Sequence, residues 1–267
     1  NFLLLYLGLE IQSLSLYVIS SFRRENLKST EAGLKYFILG SLSSGLMLFG
    51  ISLIYGSTGS INFELISSLI TSKGFYPGII AGLVFLISGF AFKASAVPFH
   101  MWTPDVYEGS PTSVTSFFAI VPKIAGIAVF IRFMYSPFQN ILDQWQYILV
   151  FISIASMILG AVAAINQKNI KRLIAYSSIS HMGYAIAGIS TGTESGFKST
   201  MIYILIYSVM NIGFFAFVFL MKRSGKYVEE INELSGISKN HPLAALSLLI
   251  VLFSLAGIPP LAGFFAK

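Results

Sequence analysis

The chain has 267 residues, of which 55% are hydrophobic and only 10% are charged. A soluble domain carries about 25% charged residues, so this composition excludes a soluble globular protein, and it is too apolar for a disordered chain. The net charge of +6 would suggest a nucleic-acid partner in a soluble protein, but in a membrane protein no such partner is expected. The charge instead raises the question of which side of the membrane the cations occupy. Cysteine is absent, which excludes disulfides and thiolate metal sites.

Long apolar runs dominate the chain. A helix needs about 20 mainly apolar residues to cross the hydrocarbon of a bilayer. Continuous runs predict helices, because the strands of a membrane β-barrel would alternate polar and apolar residues. Eight segments qualify or nearly do: residues 2–20, 34–56, 78–100, 113–135, 146–166, 171–190, 200–221 and 243–267. The sequence thus predicts an all-α, polytopic transmembrane helix bundle in a lipid bilayer.

The connections between these spans differ strongly in charge. Each span crosses the membrane once, so alternate connections lie on the same side. Four connections therefore share one side by this parity: residues 21–35, 101–112, 167–172 and 222–241. These four contain eleven lysines and arginines, whereas the other side has two, Lys73 and Lys198. Positive residues concentrate on the cytoplasmic side, so the basic side is predicted to face the cytoplasm or the mitochondrial matrix.

Both ends of the sequence lie in apolar runs. No basic stretch precedes the first run, so it does not look like a signal peptide. We therefore expect the sequence to be a fragment of a longer membrane protein.

Three lysines and one glutamate remain inside apolar runs, and each costs about 2.5–3.5 kcal/mol at the centre of a membrane helix. They are Glu10, Lys93, Lys123 and Lys267. Such residues normally face a bundle interior and pair with each other. Burial weakens the hold of an amine on its proton, and a nearby carboxylate restores it. A Glu–Lys pair can thus be switched by moving one partner, as a proton relay requires.

Simpler interpretations remain open for these residues. Lys93 lies late in its span, where its side chain could extend to the basic side. Glu10 could be a structural partner of a lysine that moves no protons. Lys123 lies in mid-span, where reaching the surface is harder, and the depth of Lys267 depends on the sequence that follows it.

Prolines interrupt the segments that carry the lysines. Pro98 lies five residues after the first of these lysines, Pro122 lies next to the second, and Pro259 and Pro260 precede the third. Proline removes a backbone donor, and interrupted helices mark ion pathways in transporters. A simple packing kink is an equally good interpretation of Pro122, whereas the proline pair, flanked by glycines, favours a broken helix.

The predicted helix 171–190 is unusually polar, with several hydroxyl groups and His181. Histidine titrates near neutral pH, so this helix suits a hydrated line of hydrogen bonds. Ordinary hydrogen bonding between helices is the alternative. No nucleotide-binding glycine motif is present, and the three histidines form no metal cluster in the sequence, so no cofactor is expected on this chain.

Three longer motifs resemble a known family. Residues 97–111 read VPFHMWTPDVYEGSP, residues 169–184 read NIKRLIAYSSISHMGY, and residues 255–264 read LAGIPPLAGF. In this order they closely resemble the signature of the antiporter-like subunits of respiratory complex I. The segment TPDVYEG and the run EIQSL at residues 10–14 look like subunit 2 (bacterial subunit N) of that family. The resemblance covers essentially the whole chain.

The resemblance implies two five-helix repeats that are inverted relative to each other and contain broken helices. Residues 1–135 would hold the last four helices of the first repeat. Residues 136–267 would hold the first helices of the second repeat and end within its broken helix.

The resemblance also assigns roles to five residues of this sequence. Glu10 would pair with Lys93 of the first broken helix, and a proton would pass from there to Lys123 and onward to Lys267 of the second broken helix. His181 matches a polar position of the central hydrated path.

The function implied is that of a proton-translocating subunit of NADH:ubiquinone oxidoreductase, with no redox chemistry in this chain. FMN, iron–sulfur clusters and ubiquinone would be held by partner subunits, and other membrane subunits of complex I are the expected partners. A stand-alone cation/proton antiporter and a structural subunit without a proton path are the alternatives. The style of the motifs favours the mitochondrial inner membrane, with a bacterial cytoplasmic membrane as the alternative.

Overall fold

The computed structural model describes residues 1–74, 77–223 and 226–267. The side chains of four of the loop cations counted above lie outside the described part: Lys73, Lys222, Arg223 and Lys226. Within the described ranges the chain is almost entirely helical, and its one sheet is a hairpin of two-residue strands.

Twelve α-helices are formed by the described residues. They are α1 (Phe2–Ser20), α2 (Leu27–Thr58), α3 (Phe63–Lys73), α4 (Pro77–Ala94), α5 (Trp102–Gly109), α6 (Thr112–Tyr135), α7 (Leu142–Ile165), α8 (Ile170–Ser190), α9 (Glu194–Leu220), α10 (Ile237–Asn240), α11 (Pro242–Ala256) and α12 (Ala262–Ala266). Short 3-10 helices cover Gln139–Ile141 and Ile231–Leu234, and strands β1 (Lys222–Arg223) and β2 (Lys226–Tyr227) pair antiparallel.

Six helices in the described part are long and apolar enough to span a membrane: α1, α2, α4, α6, α9, and α7 together with the 3-10 turn before it. The other two predicted spans are helical as well. Residues 171–190 form α8, and residues 243–267 form α11, a break and α12. The predicted all-helical, multi-pass membrane fold is confirmed.

Three of the described helices lie in segments predicted to be polar connections: the four-residue α10, within residues 222–241, and the longer α3 and α5. Helix α3 lies within residues 57–75 and buries Ile66 and Ile70, which are four residues apart and share one helix face. Helix α5 lies within residues 101–112. Both are too short to show the 20-residue apolar run by which a span is recognised.

Both predicted broken helices are confirmed. Helix α4 ends at Ala94, six residues before the predicted end of its span, and the chain resumes as α5 after seven non-helical residues. Helix α11 ends at Ala256, the next residue, Gly257, adopts the left-handed conformation with φ of 83°, and α12 begins beyond the proline pair. Pro122, in contrast, lies inside the continuous helix α6.

The four connections predicted to share the basic side lie together. Lys28 contacts Glu108 at 2.8 Å, and Arg172 contacts the same carboxylate at 3.0 Å. Lys171 contacts Glu229 at 2.9 Å. These three ion pairs join all four of the predicted basic-side connections.

Direct contacts also join the connections at the opposite end of the bundle. The Asn140 amide donates to the Thr71 hydroxyl at 2.8 Å, and the Tyr135 hydroxyl donates to the Thr193 carbonyl at 3.3 Å. The connections that parity assigns to the same side therefore lie at the same end of the bundle.

Helices α7 and α8 are in backbone contact because of two glycines. A Cβ atom at Gly160 would lie 2.6 Å from the Ser180 amide nitrogen, and one at Gly183 would lie 2.9 Å from the Met157 nitrogen. Small residues at helix interfaces permit this approach in membranes, where packing rather than the hydrophobic effect drives association. The contact holds the polar helix α8 firmly against the second half of the bundle.

Gly160→Ala is expected to destabilise the protein by about 1–3 kcal/mol, because the added methyl group meets main-chain atoms of α8 that have no room to move. Gly56→Ala is the matched control, since a Cβ atom at Gly56 has no neighbour within 4 Å. The melting temperature of the full-length protein, measured in detergent, should fall for Gly160→Ala alone. Equal melting temperatures for the two variants would contradict the close packing.

Candidate functional site

Glu10 lies in the middle of α1 and is half-buried. One of its carboxylate oxygens accepts a hydrogen bond from the hydroxyl of Ser44, a buried residue of α2. The carboxylate is therefore held between the first two helices.

Lys93 lies in the last turn of α4, one residue before that helix ends. Its ammonium group donates to the hydroxyl of Ser13, which lies three residues after Glu10 on the same face of α1. The described ion pairs within 4.0 Å do not include a direct Glu10–Lys93 contact. The resemblance pairs these two charges with each other. In the structure each is bound by a serine, Glu10 by Ser44 and Lys93 by Ser13.

Lys123 is 1% exposed and reaches from α6 to the broken helix. Its Nζ atom donates to the Ser95 hydroxyl at 2.9 Å and to the Ala94 carbonyl at 3.3 Å. Because α4 ends at Ala94, this carbonyl has no continuing helix to bond it. Ser95 itself adopts a φ of 62°, which few residues other than glycine adopt. The break thus supplies two neutral acceptors to a buried amine.

A small cavity of about 20 Å³ lies between the two lysines of the first broken helix. Its lining includes Ser13, Lys93, Trp102 and Lys123. A volume of this size holds about one water molecule. Both lysines therefore border the same small space.

Lys267 repeats the arrangement at the second break. Its Nζ atom donates to the Leu255 carbonyl at 2.9 Å and to the Ala256 carbonyl at 3.2 Å, which are the last carbonyls of α11. It also lies 5.0 Å from the ring centroid of Tyr184 on α8, within the range of a cation–π contact. The side chain is exposed in the described chain.

His181 is buried in α8 and lies within hydrogen-bond distance of a tyrosine of α9. Its Nδ1 atom is 2.6 Å from the Tyr203 hydroxyl. His181 and Lys267 line one cavity of about 240 Å³. The imidazole therefore has a hydrogen-bond partner on one side and a shared space with the second-break lysine on the other.

Two buried tyrosines lie between Lys123 and His181. The Tyr107 ring centroid is 6.0 Å from the Lys123 ammonium, and the Tyr207 ring centroid is 5.3 Å from that of His181. The structure thus brings Lys93 and Lys123 to one cavity and His181 and Lys267 to another, while Glu10 is bound by Ser44. Lys123 forms no ion pair with any carboxylate in the described residues.

Sequence reasoning missed the hydroxyl groups that bind these charges: Ser13, Ser44, Ser95 and Tyr203. One of them has a local signal, since Ser13 follows Glu10 by one helical turn. All four lie on different elements from the groups they bind, and for Ser44, Ser95 and Tyr203 no spacing in the sequence gives a signal.

The chain matches, over residues 1–267, the sequence model of a family described as NADH:quinone oxidoreductase/Mrp antiporter, TM. The chain belongs to this family. NADH-quinone oxidoreductase subunit N of Pelagibacter ubique is 62% identical over 267 residues, which cover 100% of this chain and 56% of the relative. The protein of the same name from Rhodospirillum rubrum is 55% identical over 264 residues, or 98% of this chain and 54% of the relative. The chain spans about half the length of the curated relatives it matches.

Solved structures give the same result. A chain of respiratory complex I from Thermus thermophilus with bound aureothin superposes with a TM-score of 0.83 at 36% identity, covering 99% of this chain and 56% of that one. A chain of the Mrp complex from a Dietzia species superposes with a TM-score of 0.89 at 24% identity, covering 100% of this chain and 49% of that one, and it shows the shared fold alone. The resemblance to antiporter-like subunits, and to subunit N among them, is confirmed.

Tyr203→Phe keeps the ring and removes the hydroxyl bound to His181. We expect a destabilisation of about 1 kcal/mol from the lost hydrogen bond, together with a changed nitrogen-15 NMR signal from the His181 ring. Tyr147→Phe is the matched control, because Tyr147 is 77% exposed. An unchanged His181 signal in Tyr203→Phe would show that the contact does not form in the protein.

Proposed function

We propose that this chain forms part of a proton-translocating membrane subunit of NADH:quinone oxidoreductase (complex I). Quinone reduction takes place in other subunits, and protons move through this chain along Glu10, Lys93, Lys123, His181 and Lys267. The observation that carries the proposal is the complete burial of Lys123 among neutral partners.

A lysine that serves only structure is expected to be paired, because an isolated buried charge is costly. Lys123 instead has a hydroxyl and a carbonyl as its hydrogen-bond acceptors. A serine hydroxyl accepts from an ammonium group and donates to a neutral amine. Both protonation states of Lys123 can therefore be hydrogen-bonded at the same position, which a fixed structural ion pair would not allow.

The first step of the proposed path is a transfer between the two lysines of the first broken helix. The carboxylate of Glu10 lies near Lys93, and a carboxylate stabilises a nearby ammonium group. A change that weakens this attraction favours release of the proton. The small cavity between Lys93 and Lys123 provides space for a water molecule to carry the proton onward.

The later steps run through the second half of the chain. His181 shares a cavity with Lys267, and the two ring nitrogens of a neutral imidazole can donate one hydrogen bond and accept another. The division into residues 1–135 and 136–267, as parts of two inverted repeats, belongs to this proposal. Its support is that each part contains one broken helix, and that the carbonyls at each break bind a lysine.

The partners proposed for the chain are other membrane subunits of complex I. FMN, iron–sulfur clusters and ubiquinone are assigned to partner subunits. The chain is a multi-pass membrane protein, and we place it in a bacterial cytoplasmic membrane because the relatives compared above are bacterial. The mitochondrial inner membrane, which the motifs favoured, is the alternative location.

A stand-alone antiporter is the less supported function. The likeness to subunit N rests on 62% identity, whereas the likeness to the Mrp complex rests on fold at 24% identity. Purification of the protein from its native membrane decides between them. Flavin and iron–sulfur subunits that co-purify in fixed proportion support complex I, and their absence supports the antiporter.

Lys93→Ala and Glu10→Ala are expected to lower coupled turnover by about tenfold or more, since each removes a group that holds or releases the proton. The complex should still assemble, because both side chains are bound by single serine hydroxyls. Proton uptake into sealed vesicles during NADH oxidation is the measurement. Lys198→Ala is the control, because Lys198 forms an exposed ion pair with Glu194 alone. If both variants assemble and pump normally, the relay assignment fails.

Lys123→Arg is expected to impair pumping about as severely as Lys123→Ala. A guanidinium group keeps the positive charge and hydrogen-bonding capacity but does not release its proton. The same vesicle assay tests both variants. Normal pumping by Lys123→Arg would show that the positive charge alone is needed and that no proton leaves this position.

A further inference from the structure

Five charged side chains from three helices meet on the basic side of the bundle. Asp105 of α5 contacts Lys35 of α2 at 2.5 Å and Arg172 of α8 at 2.7 Å. Glu108 of α5 contacts Lys28 of α2 at 2.8 Å and the same arginine at 3.0 Å. Each carboxylate therefore uses one oxygen toward the first half of the chain and the other toward the second half. We call these five residues the α5 clamp.

The arginine of the α5 clamp is placed against the preference of its own helix. Arg172 lies in the first turn of α8, where the helix dipole disfavours a positive charge, and that turn contains no acidic residue. One nitrogen, Nη1, bridges both carboxylates, and Nε donates to the Gln167 side chain at 3.3 Å. The position of the arginine thus serves the carboxylates of α5 and not the stability of α8.

Helix α5 also touches α2 through its backbone. A Cβ atom at Gly109 would lie 2.3 Å from the Lys28 carbonyl oxygen and 2.7 Å from the Ala32 Cβ atom. A cavity of about 180 Å³ lies beside the clamp and is lined by Lys35, Asp105 and other charged residues. The ion pairs are therefore reached by water from the basic side, while the helix they hold is tightly packed.

The clamp carboxylates are ionised at neutral pH. Burial by itself raises the pKa of Asp105, but hydrogen bonds from Lys35 and Arg172 bring the pKa below its ordinary value. Burial opposes ionisation of Glu108 in the same way, and hydrogen bonds from Lys28 and Arg172 bring its pKa below its ordinary value as well.

The other end of α5 is tied to the broken helix. Trp102, the first residue of α5, donates its indole N–H to the Phe92 carbonyl at 3.1 Å, directly before Lys93. The segment between Phe92 and Trp102 contains Ser95, which binds Lys123. A shift of α5 would therefore move the acceptors of Lys123 and the position of Lys93 together.

We propose that Asp105, Glu108 and Arg172 are positioning residues for proton transfer: the α5 clamp joins the two halves of the chain and holds the broken helix in the geometry that places Lys93 and Lys123 next to one cavity. This role rests on the proposed function, because the clamp positions the lysines assigned there. The clamp residues themselves carry no proton along the path.

The test compares clamp variants within the assembled complex. Asp105→Asn with Glu108→Gln removes both carboxylates, and the number of protons pumped per NADH oxidised is expected to fall by about two- to tenfold. Arg172→Lys should cause a smaller loss in the same direction, since lysine keeps the positive charge but lacks the Nε–H that donates to Gln167 and holds the bridging group in place. Asp105→Glu keeps the charge and should retain most of the coupling. NADH oxidation by a water-soluble acceptor should remain unchanged in all of these variants.

Glu194→Gln is the matched control, because it breaks an exposed ion pair at the opposite end of the bundle. A normal proton-to-NADH ratio in the clamp variants overturns the positioning role, and so does a reduced amount of complex that pumps at the normal ratio. If the double variant does not assemble, Arg172→Lys decides by the same ratio.

The lysine variants distinguish failure of the proposed function from failure of the clamp role alone. Normal pumping by both Lys93→Ala and Lys123→Arg overturns the proposed function and the clamp role with it. Impaired lysine variants together with normal clamp variants overturn the clamp role alone.

Discussion

The hydrogen bonding of a buried lysine by a broken helix is the interaction on which the rest of this structure depends. In hydrocarbon a backbone carbonyl without a partner costs several kcal/mol, and so does an unpaired ammonium group. Helix α4 ends at Ala94 and leaves a free carbonyl, and Lys123 supplies the missing donor. The same contact gives the amine an acceptor, and Ser95 adds a second one. Each feature compensates the cost of the other, so the break and the lysine have to occur together.

The second break applies the same solution with different residues. Lys267 is bound by Leu255 and Ala256, the last carbonyls of α11. The two lysines lie on elements that are far apart in the sequence, yet the acceptors at both breaks are main-chain carbonyls. A carbonyl has a fixed position and does not ionise, so it holds an amine in place without fixing its protonation state. Such acceptors are compatible with the proton transfer proposed at the two breaks.

Charges at the edge of the bundle and charges in its middle are handled in different ways. On the basic side, Asp105 and Glu108 are paired with cations in contact with a hydrated cavity. These pairs fix the relative positions of α2, α5 and α8. In the interior, the hydrogen-bond partners of Lys123 among the described residues are neutral. Paired charges fix the geometry at the edge, neutral acceptors bind the lysine in the interior, and helix α5 connects the two regions.

The sequence by itself determined the transmembrane helices, the connections that share an end of the bundle, both broken helices and the family, because apolar length, the number of spans, prolines and long motifs are read directly from the sequence. It did not reveal α3 or α5, which are too short to show a span. It also did not settle whether Pro122 breaks its helix, since a helix continues through proline when neighbouring groups satisfy the freed carbonyl. Only the tertiary structure decided that Ser13 binds Lys93 and that Ser95 binds Lys123. Many serines are present, and the one that lies opposite each charge depends on how the helices pack.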